Sequence, residues 1–288
     1  MLHRCSPIDK NNLHWNEHMK VSPEYLKNFL NEHKKTHSFI SLDDLYELAM
    51  SKATVKSKKK FIIMTFDDGY RDNYEYALQI FDEMSIPFTV YVTNSFPDKT
   101  AFLWWYVLED ILQKNSNIIL SNSEKFDCKT KEEKEKLFLH LRQLVLCLNQ
   151  ENIINEFINL FSNYEISYLQ YNNTLCLSWD MIKEMSNSRY CTIAAHTMNH
   201  KTLNILPFEQ LDKEIVQSKK ELEEHIGKKV RHFAYPFGTF SEVGNREVDF
   251  IKKCEFYTAC YSFGGGITRT NKKKLLELPR NFFGELIY

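Results

Sequence analysis

The sequence predicts an α/β fold in which strands and helices alternate around a parallel sheet or barrel. Three observations predict it. Short apolar runs are continuous rather than alternating, amphipathic stretches lie between them, and polar motifs gather where the runs end. The first run, residues 61–66, reads Phe-Ile-Ile-Met-Thr-Phe and has no polar face, as expected of one strand covered on both sides. Tyr74, Ala77, Leu78 and Phe81 then recur at helical spacing, and residues 87–92 supply the next strand. Further strands are expected at residues 190–195, 230–235 and 256–261. Residues 208–226 form an amphipathic helix between two of them, closed by Gly227 in a C-cap position.

Residues 96–176 break this rhythm. Thr130 followed by Glu133 is a capping box, and Leu137, Leu141, Leu144, Val145 and Leu148 repeat at helical spacing behind it. The stretch reads as a helical insertion within a single domain spanning residues 1–288, since no repeat or Pro/Ser-rich linker divides the chain. Eight glycines and seven prolines are few for 288 residues, which excludes collagenous and low-complexity chains and makes each one a marker. The 37 basic and 38 acidic side chains leave a formal charge of −1, which argues against a nucleic-acid or anionic-membrane partner. Seven scattered cysteines form no C-x-x-C pair, so reduced, mostly buried thiols are expected. No run approaches the ~18 apolar residues of a membrane span, and residues 1–20 lack a signal-peptide core. The expectation is a cytoplasmic protein with no integral membrane segment.

Three motifs stand at the ends of predicted strands. In Thr65-Phe66-Asp67-Asp68-Gly69, two adjacent carboxylates repel unless something positive offsets them. A metal ion on one would do so, although a solvated Asp-Asp-Gly turn is the common alternative. In His196-Thr197-Met198-Asn199-His200 the imidazoles lie about 5–6 Å apart on a helical turn, close enough to share one ion. Two histidines plus one carboxylate is a catalytic metal set that leaves positions open for water and substrate. The third, Phe233-Ala234-Tyr235-Pro236-Phe237-Gly238, reads as a rigid turn exposing a backbone N–H, or as an ordinary strand-to-helix turn. All three fall where a parallel barrel or sheet places its site.

These motifs resemble those of the polysaccharide deacetylase family, the NodB-homology or carbohydrate esterase 4 group. The resemblance extends to Leu278-Pro279-Arg280 and to a Trp104-Trp105 helix like that of members from surface-polysaccharide gene clusters. It implies a distorted (β/α)7 TIM-like barrel with a helical insertion, and a hydrolase removing acetyl groups from amino sugars with a divalent metal. Zinc is the expected metal, with nickel, cobalt or iron as alternatives. By residue-wise carry-over, Asp68, His196 and His200 are metal ligands and Asp67 is the general base.

Two departures matter. The arginine usual in the third motif is replaced by Ala234, and Arg280 is the candidate to supply its charge to the base. The usual late Leu-x-His is missing, since no histidine follows His232. Met1-Leu2-His3-Arg4 resembles the opening of members with an N-terminal His motif and a Tyr-Pro-x-Gly third motif, so His3 is the candidate acid, ahead of His14 and His18. A backbone N–H among Tyr235, Pro236 and Phe237 would hold the oxyanion. Trp104 and Trp105, with Tyr106, would stack a sugar or else form core, and Phe263-Gly264-Gly265-Gly266 would be a loop beside the site. The implied substrate is an acetylated sugar, a sugar nucleotide or a lipid-linked glycan precursor. Deformylase, cyclic-imidase or O-acetyl-esterase activity on the same scaffold, and a non-catalytic metal-containing glycan-binding protein, are the competing readings.

Overall fold

The computed structural model describes residues 1–51, 60–268 and 274–284. Six parallel strands form the central sheet: β1 (Met64–Phe66), β2 (Phe88–Val92), β3 (Cys191–Ala195), β4 (His232–Ala234), β5 (Thr258–Gly264) and β6 (Leu278–Arg280). They lie side by side in chain order. The registers pair Phe66 with Val90, Val92 with Ala195, Ala195 with Phe233, and Ala234 with Cys260.

The N-terminal residues supply the missing stave. On one side Leu2 bridges Phe66 in parallel, its N–H donating to the Thr65 carbonyl at 2.8 Å while the Asp67 N–H donates to the Leu2 carbonyl at 2.9 Å. On the other side the Met1 nitrogen donates to the Asn281 carbonyl and the Phe283 N–H donates to the Met1 carbonyl, both at 2.8 Å. Residues 1–3 therefore sit between β1 and the segment after β6 and close a distorted (β/α)7 barrel. Two residues suffice for this stave because the backbone groups at both edges find partners.

One expected strand is corrected. Residues 61–66 do not form a single element: Lys60–Ile62 pairs with His37–Phe39 in a separate two-stranded sheet, and β1 starts only at Met64. The unbroken apolar run encodes two consecutive pairings, and Phe61 on the first is exposed. The fifth strand also runs longer than expected, taking Phe263 and Gly264 out of the supposed loop. Gly264 has φ +99°, and a Cβ there would stand 2.9 Å from the Pro279 Cβ on β6, so only glycine fits.

The barrel interior is small. Tyr91, Ala194, Ala234, Cys260 and Leu278 fill it from successive strands, while larger apolar side chains on the alternate positions pack outward against the helices. Residues between β2 and β3 form helices α1 (Trp104–Lys114), α2 (Lys131–Leu146), α3 (Ile153–Leu160) and α4 (Leu169–Leu175), with an apolar cluster of their own around Leu108, Leu141 and Phe157. The Thr130–Glu133 capping box forms as expected. An antiparallel hairpin, Asn117–Ile119 with Lys125–Asp127, interrupts the helices and was not expected.

Two π-helical turns lie in the helices after β1 and β3: Asn73–Ala77 at the start of the first, and Asp212–Gln217 after an α-helical turn, Phe208–Leu211, in the second. Each widens the backbone to aim a buried polar side chain back at the strand ends. The Asn73 amide donates to the His3 carbonyl at 3.0 Å. Glu214 accepts from the Asn199 N–H and side-chain amide at 2.8 and 2.9 Å.

Candidate active site

The loops after β1, β3 and β4 converge at the C-terminal mouth of the barrel. Their backbone is held in the left-handed region at Asp68 (φ +78°), Thr197 (+70°), His200 (+55°) and Phe237 (+57°). Each such residue costs about 1–2 kcal/mol and persists only where surrounding contacts enforce it. The segment following β2 provides those contacts. The Thr93 N–H donates to the Asp68 carbonyl at 3.1 Å, its hydroxyl to the His196 carbonyl at 3.0 Å, and the Asn94 N–H to the Thr197 carbonyl at 3.2 Å.

Asp68, His196 and His200 meet. Asp68 Oδ1 lies 3.4 Å from His196 Nε2 and 3.3 Å from His200 Nε2, and the three potential ligand atoms all fall within 4.8 Å of one another. The pair of histidines is not brought together by a helical turn, as the spacing had suggested; the chain bends irregularly there and the ring centroids end 5.0 Å apart. His196 Nδ1 is 2.8 Å from the Ala234 carbonyl, which can only accept, so Nδ1 bears a proton and Nε2 is the ring nitrogen that faces Asp68. Asp68 Oδ1 is buried and has no hydrogen-bond partner. Burial alone would raise its pKa, yet the two imidazoles hold it well below the usual carboxylate range. An orphaned anionic oxygen facing two imidazole nitrogens fits a divalent cation.

Asp67 has a different partner. Arg280 Nη1 and Nη2 donate to its two oxygens, both at 2.7 Å, in a bidentate pair shut off from solvent. Arg280 also donates to the Tyr261 carbonyl at 2.6 Å and to the Thr65 hydroxyl at 3.3 Å, and its guanidinium lies 5.3 Å from the Tyr91 ring centroid. Burial pushes the Asp67 carboxyl up, but the Arg280 charge and the nearby His196 override it and the net shift is downward. The methyl of Ala234 points into the same small interior, which leaves the volume that Arg280 occupies from β6. The two neighbouring carboxylates thus have separate partners, a guanidinium for Asp67 and two imidazoles for Asp68.

His3 follows Leu2 out of the short stave. Its Nδ1 is buried without a hydrogen-bond partner, and its ring is 6.1 Å from that of Phe282. Burial lowers its pKa below 6.5, against the pull of Asp68 and Asp67. His18 stacks on the far side, 5.0 Å from Phe282 and 5.1 Å from His14, one ring further out.

The third motif contributes less than its three residues suggested. The Tyr235 N–H is used in the sheet, donating to the Cys260 carbonyl at 3.1 Å, and its side chain packs outward with its hydroxyl on the Leu276 carbonyl. Pro236 has no N–H. The Phe237 N–H is the one in this turn without an acceptor among the described residues, and the Phe237 ring lies 4.8 Å from that of His200.

A cleft of about 400 Å³ opens beside His200, lined by Trp105, Asn199, Phe237 and the first turn of α3. Trp105 forms its wall, 6.3 Å from the His200 ring. Trp104 also lines the cleft but is buried in the insertion's apolar cluster, whereas Trp105 is only partly buried and stands beside His200. Sequence reasoning missed Thr65, Thr93, Asn73 and Glu214, whose only signal was a polar residue inside an otherwise apolar run or helix face.

A polysaccharide deacetylase family model matches residues 54–253. No curated relative matches the sequence. Among solved structures, a deacetylase from Streptococcus pyogenes in complex with acetate aligns at TM-score 0.62 with 16% identity, covering 98% of this chain and 90% of that one. A de-N-acetylase from Aggregatibacter actinomycetemcomitans aligns at 0.57 with 18% identity, covering 97% and 92%. A polysaccharide deacetylase from Bacillus cereus aligns at 0.58 with 18% identity; 98% of this chain is covered, but it spans only 62% of that protein's length. At these identities the structures speak for the fold, and the family model covers most of the chain: the protein belongs to the polysaccharide deacetylase family.

Proposed function

We propose that the protein is a metal-dependent hydrolase that removes the acetyl group from an N-acetylated sugar or glycan precursor. The observation that carries this reading is the Asp68–His196–His200 cluster with the Asp67–Arg280 pair beside it. Those three residues would hold a divalent cation, zinc by base rate, which would supply Lewis-acid polarisation of the acetyl carbonyl and a more acidic water. Asp67 takes the proton of the attacking water, contributing on the order of 10²–10⁴-fold. Arg280 keeps the carboxylate ionised and fixed in orientation. The Phe237 N–H donates to the oxygen that becomes negative as the carbonyl carbon turns tetrahedral. As the C–N bond breaks, His3 hands a proton to the departing nitrogen, giving acetate and a free amine. Burial lowers the pKa of His3, which favours release of its proton to the leaving nitrogen.

A purely metal-binding, non-catalytic protein is disfavoured by Asp67. A buried ion pair costs desolvation and is weak evidence of stability, so its presence beside the ligands points to a chemical role. The acetate complex of the similar streptococcal deacetylase is consistent with the product expected here. The sugar in this reading is cytoplasmic, free or linked to a nucleotide or lipid. Acetate release from a panel of acetylated sugars, with and without a chelator, tests the proposal. Release that a chelator abolishes and zinc restores is the expected result; none from any substrate, with metal bound, would favour the binder.

A further inference from the structure

A second buried ion pair lies beside the site. Arg4 Nε donates to Asp72 Oδ2 at 2.7 Å, and the other oxygen of Asp72 accepts the Cys5 N–H at 3.0 Å. Arg4 Nη1 donates to the Tyr106 hydroxyl at 2.6 Å. Its guanidinium lies 5.0 Å from the Tyr70 ring centroid and 5.8 Å from that of Tyr106. Tyr70 in turn accepts the indole N–H of Trp105 at 3.2 Å, and the Asn16 amide donates to the Trp105 carbonyl at 3.1 Å.

We propose that Arg4 and Tyr70 are positioning residues that fix the Trp105 indole beside His200, and so set substrate binding in the cleft without touching substrate. Trp105 stands in the first turn of α1, at the junction of the insertion and the barrel, packed against the apolar clusters on both sides. Its N–H requires an acceptor when turned inward, and the Tyr70 hydroxyl is the one it finds. Arg4 holds both flanking tyrosines at once: it hydrogen-bonds the residue after Trp105 and lies against the ring whose hydroxyl Trp105 uses. Its anchor Asp72 is four residues beyond Asp68, so cleft wall and ligand loop share one support.

What the wall binds rests on the deacetylase reading; that the wall is held this way does not. Tyr70→Phe removes one oxygen and leaves the ring under Arg4. With an N-acetylglucosamine oligomer as substrate, it should raise KM about 5-fold while kcat stays within about twofold. In a Trp105→Phe background the same change should have no further effect. Arg4→Lys keeps the charge toward Asp72 but loses the fork to Tyr106, and should shift tryptophan emission in the wild-type background and not in Trp105→Phe. An unchanged KM in Tyr70→Phe, or an equal penalty in both backgrounds, overturns the proposal. If the wild type releases no acetate the deacetylase reading fails, and the fluorescence cycle alone then decides: a Trp105-dependent shift upholds positioning, and its absence sinks it.

Discussion

The two ends of the barrel carry histidine–aspartate contacts of nearly equal length and opposite character. At the C-terminal mouth, Asp68 stands 3.3–3.4 Å from two imidazoles, 7% exposed, on left-handed backbone and beside a cleft. At the N-terminal end, His232 Nε2 stands 3.4 Å from Asp43 Oδ1, with Arg231 at 3.6 Å and the Thr258 hydroxyl 2.8 Å from Nδ1. There the histidine is wholly buried, the aspartate is 42% exposed, and neither residue has left-handed backbone. The residue types are alike. What differs is that the lower contact sets one imidazole, whose Nε2 also lacks a hydrogen-bond partner, against a half-exposed carboxylate, whereas the upper one sets a buried anionic oxygen against two imidazole nitrogens. Strain, a buried carboxylate and an adjacent cleft therefore separate a site from a structural pin.

The comparison breaks most visibly in activity. Asp67→Asn should lower kcat by about 10³-fold with metal still bound, measured by acetate release together with metal content; retained turnover would remove Asp67 from the base role. Arg280→Lys preserves the charge but not the bidentate fork, and should cost about 10–100-fold in kcat. A loss as large as that of Asp67→Asn would mean that Arg280 does more than hold the base.

Stability should show the same asymmetry as a function of pH. The folded Asp67 carboxyl is held below its ordinary 3.8, so on acidification the unfolded chain binds the proton first. The pair's contribution is complete above that ordinary value and disappears as pH falls through the depressed one. Urea midpoints should therefore differ between wild type and Asp67→Asn at neutral pH and converge as the pH falls below that ordinary value. A constant gap would assign the stabilisation to packing. At the lower end, Asp43→Asn should cost less than about 1 kcal/mol, because the carboxylate is well solvated, and leave kcat/KM unchanged. A clear kinetic effect there would join the two ends functionally.

The residues most legible in the sequence were those whose chemistry is local. Asp67 and Asp68 adjoin, His196 and His200 are four apart, and the three motifs end apolar runs, so motif and strand signal reinforce one another. Arg280 was legible only as a candidate, because its partner is 213 residues away and the pairing depends on how the barrel closes. His3 was harder still: a two-residue stave has no periodicity, and only the hydrogen bonds of Met1 and Leu2 to β1 and to the segment after β6 reveal it. The break at Ile63 was hidden because a largely exposed strand running straight into a fully buried one reads as a single apolar run.

By itself, the sequence determined the alternation of strands and helices, the capped insertion, and the side chains able to bind a metal and move a proton. Those follow from spacing along the chain, where 3.6- and 2-residue periods and adjacent motifs act over a few residues. Only the tertiary structure decided which carboxylate is paired with arginine and which faces the histidines, which N–H in the third motif lacks an acceptor among the described residues, and which tryptophan stands beside His200. Those depend on strand register and barrel closure, which bring together groups whose separation in sequence carries no periodic signal.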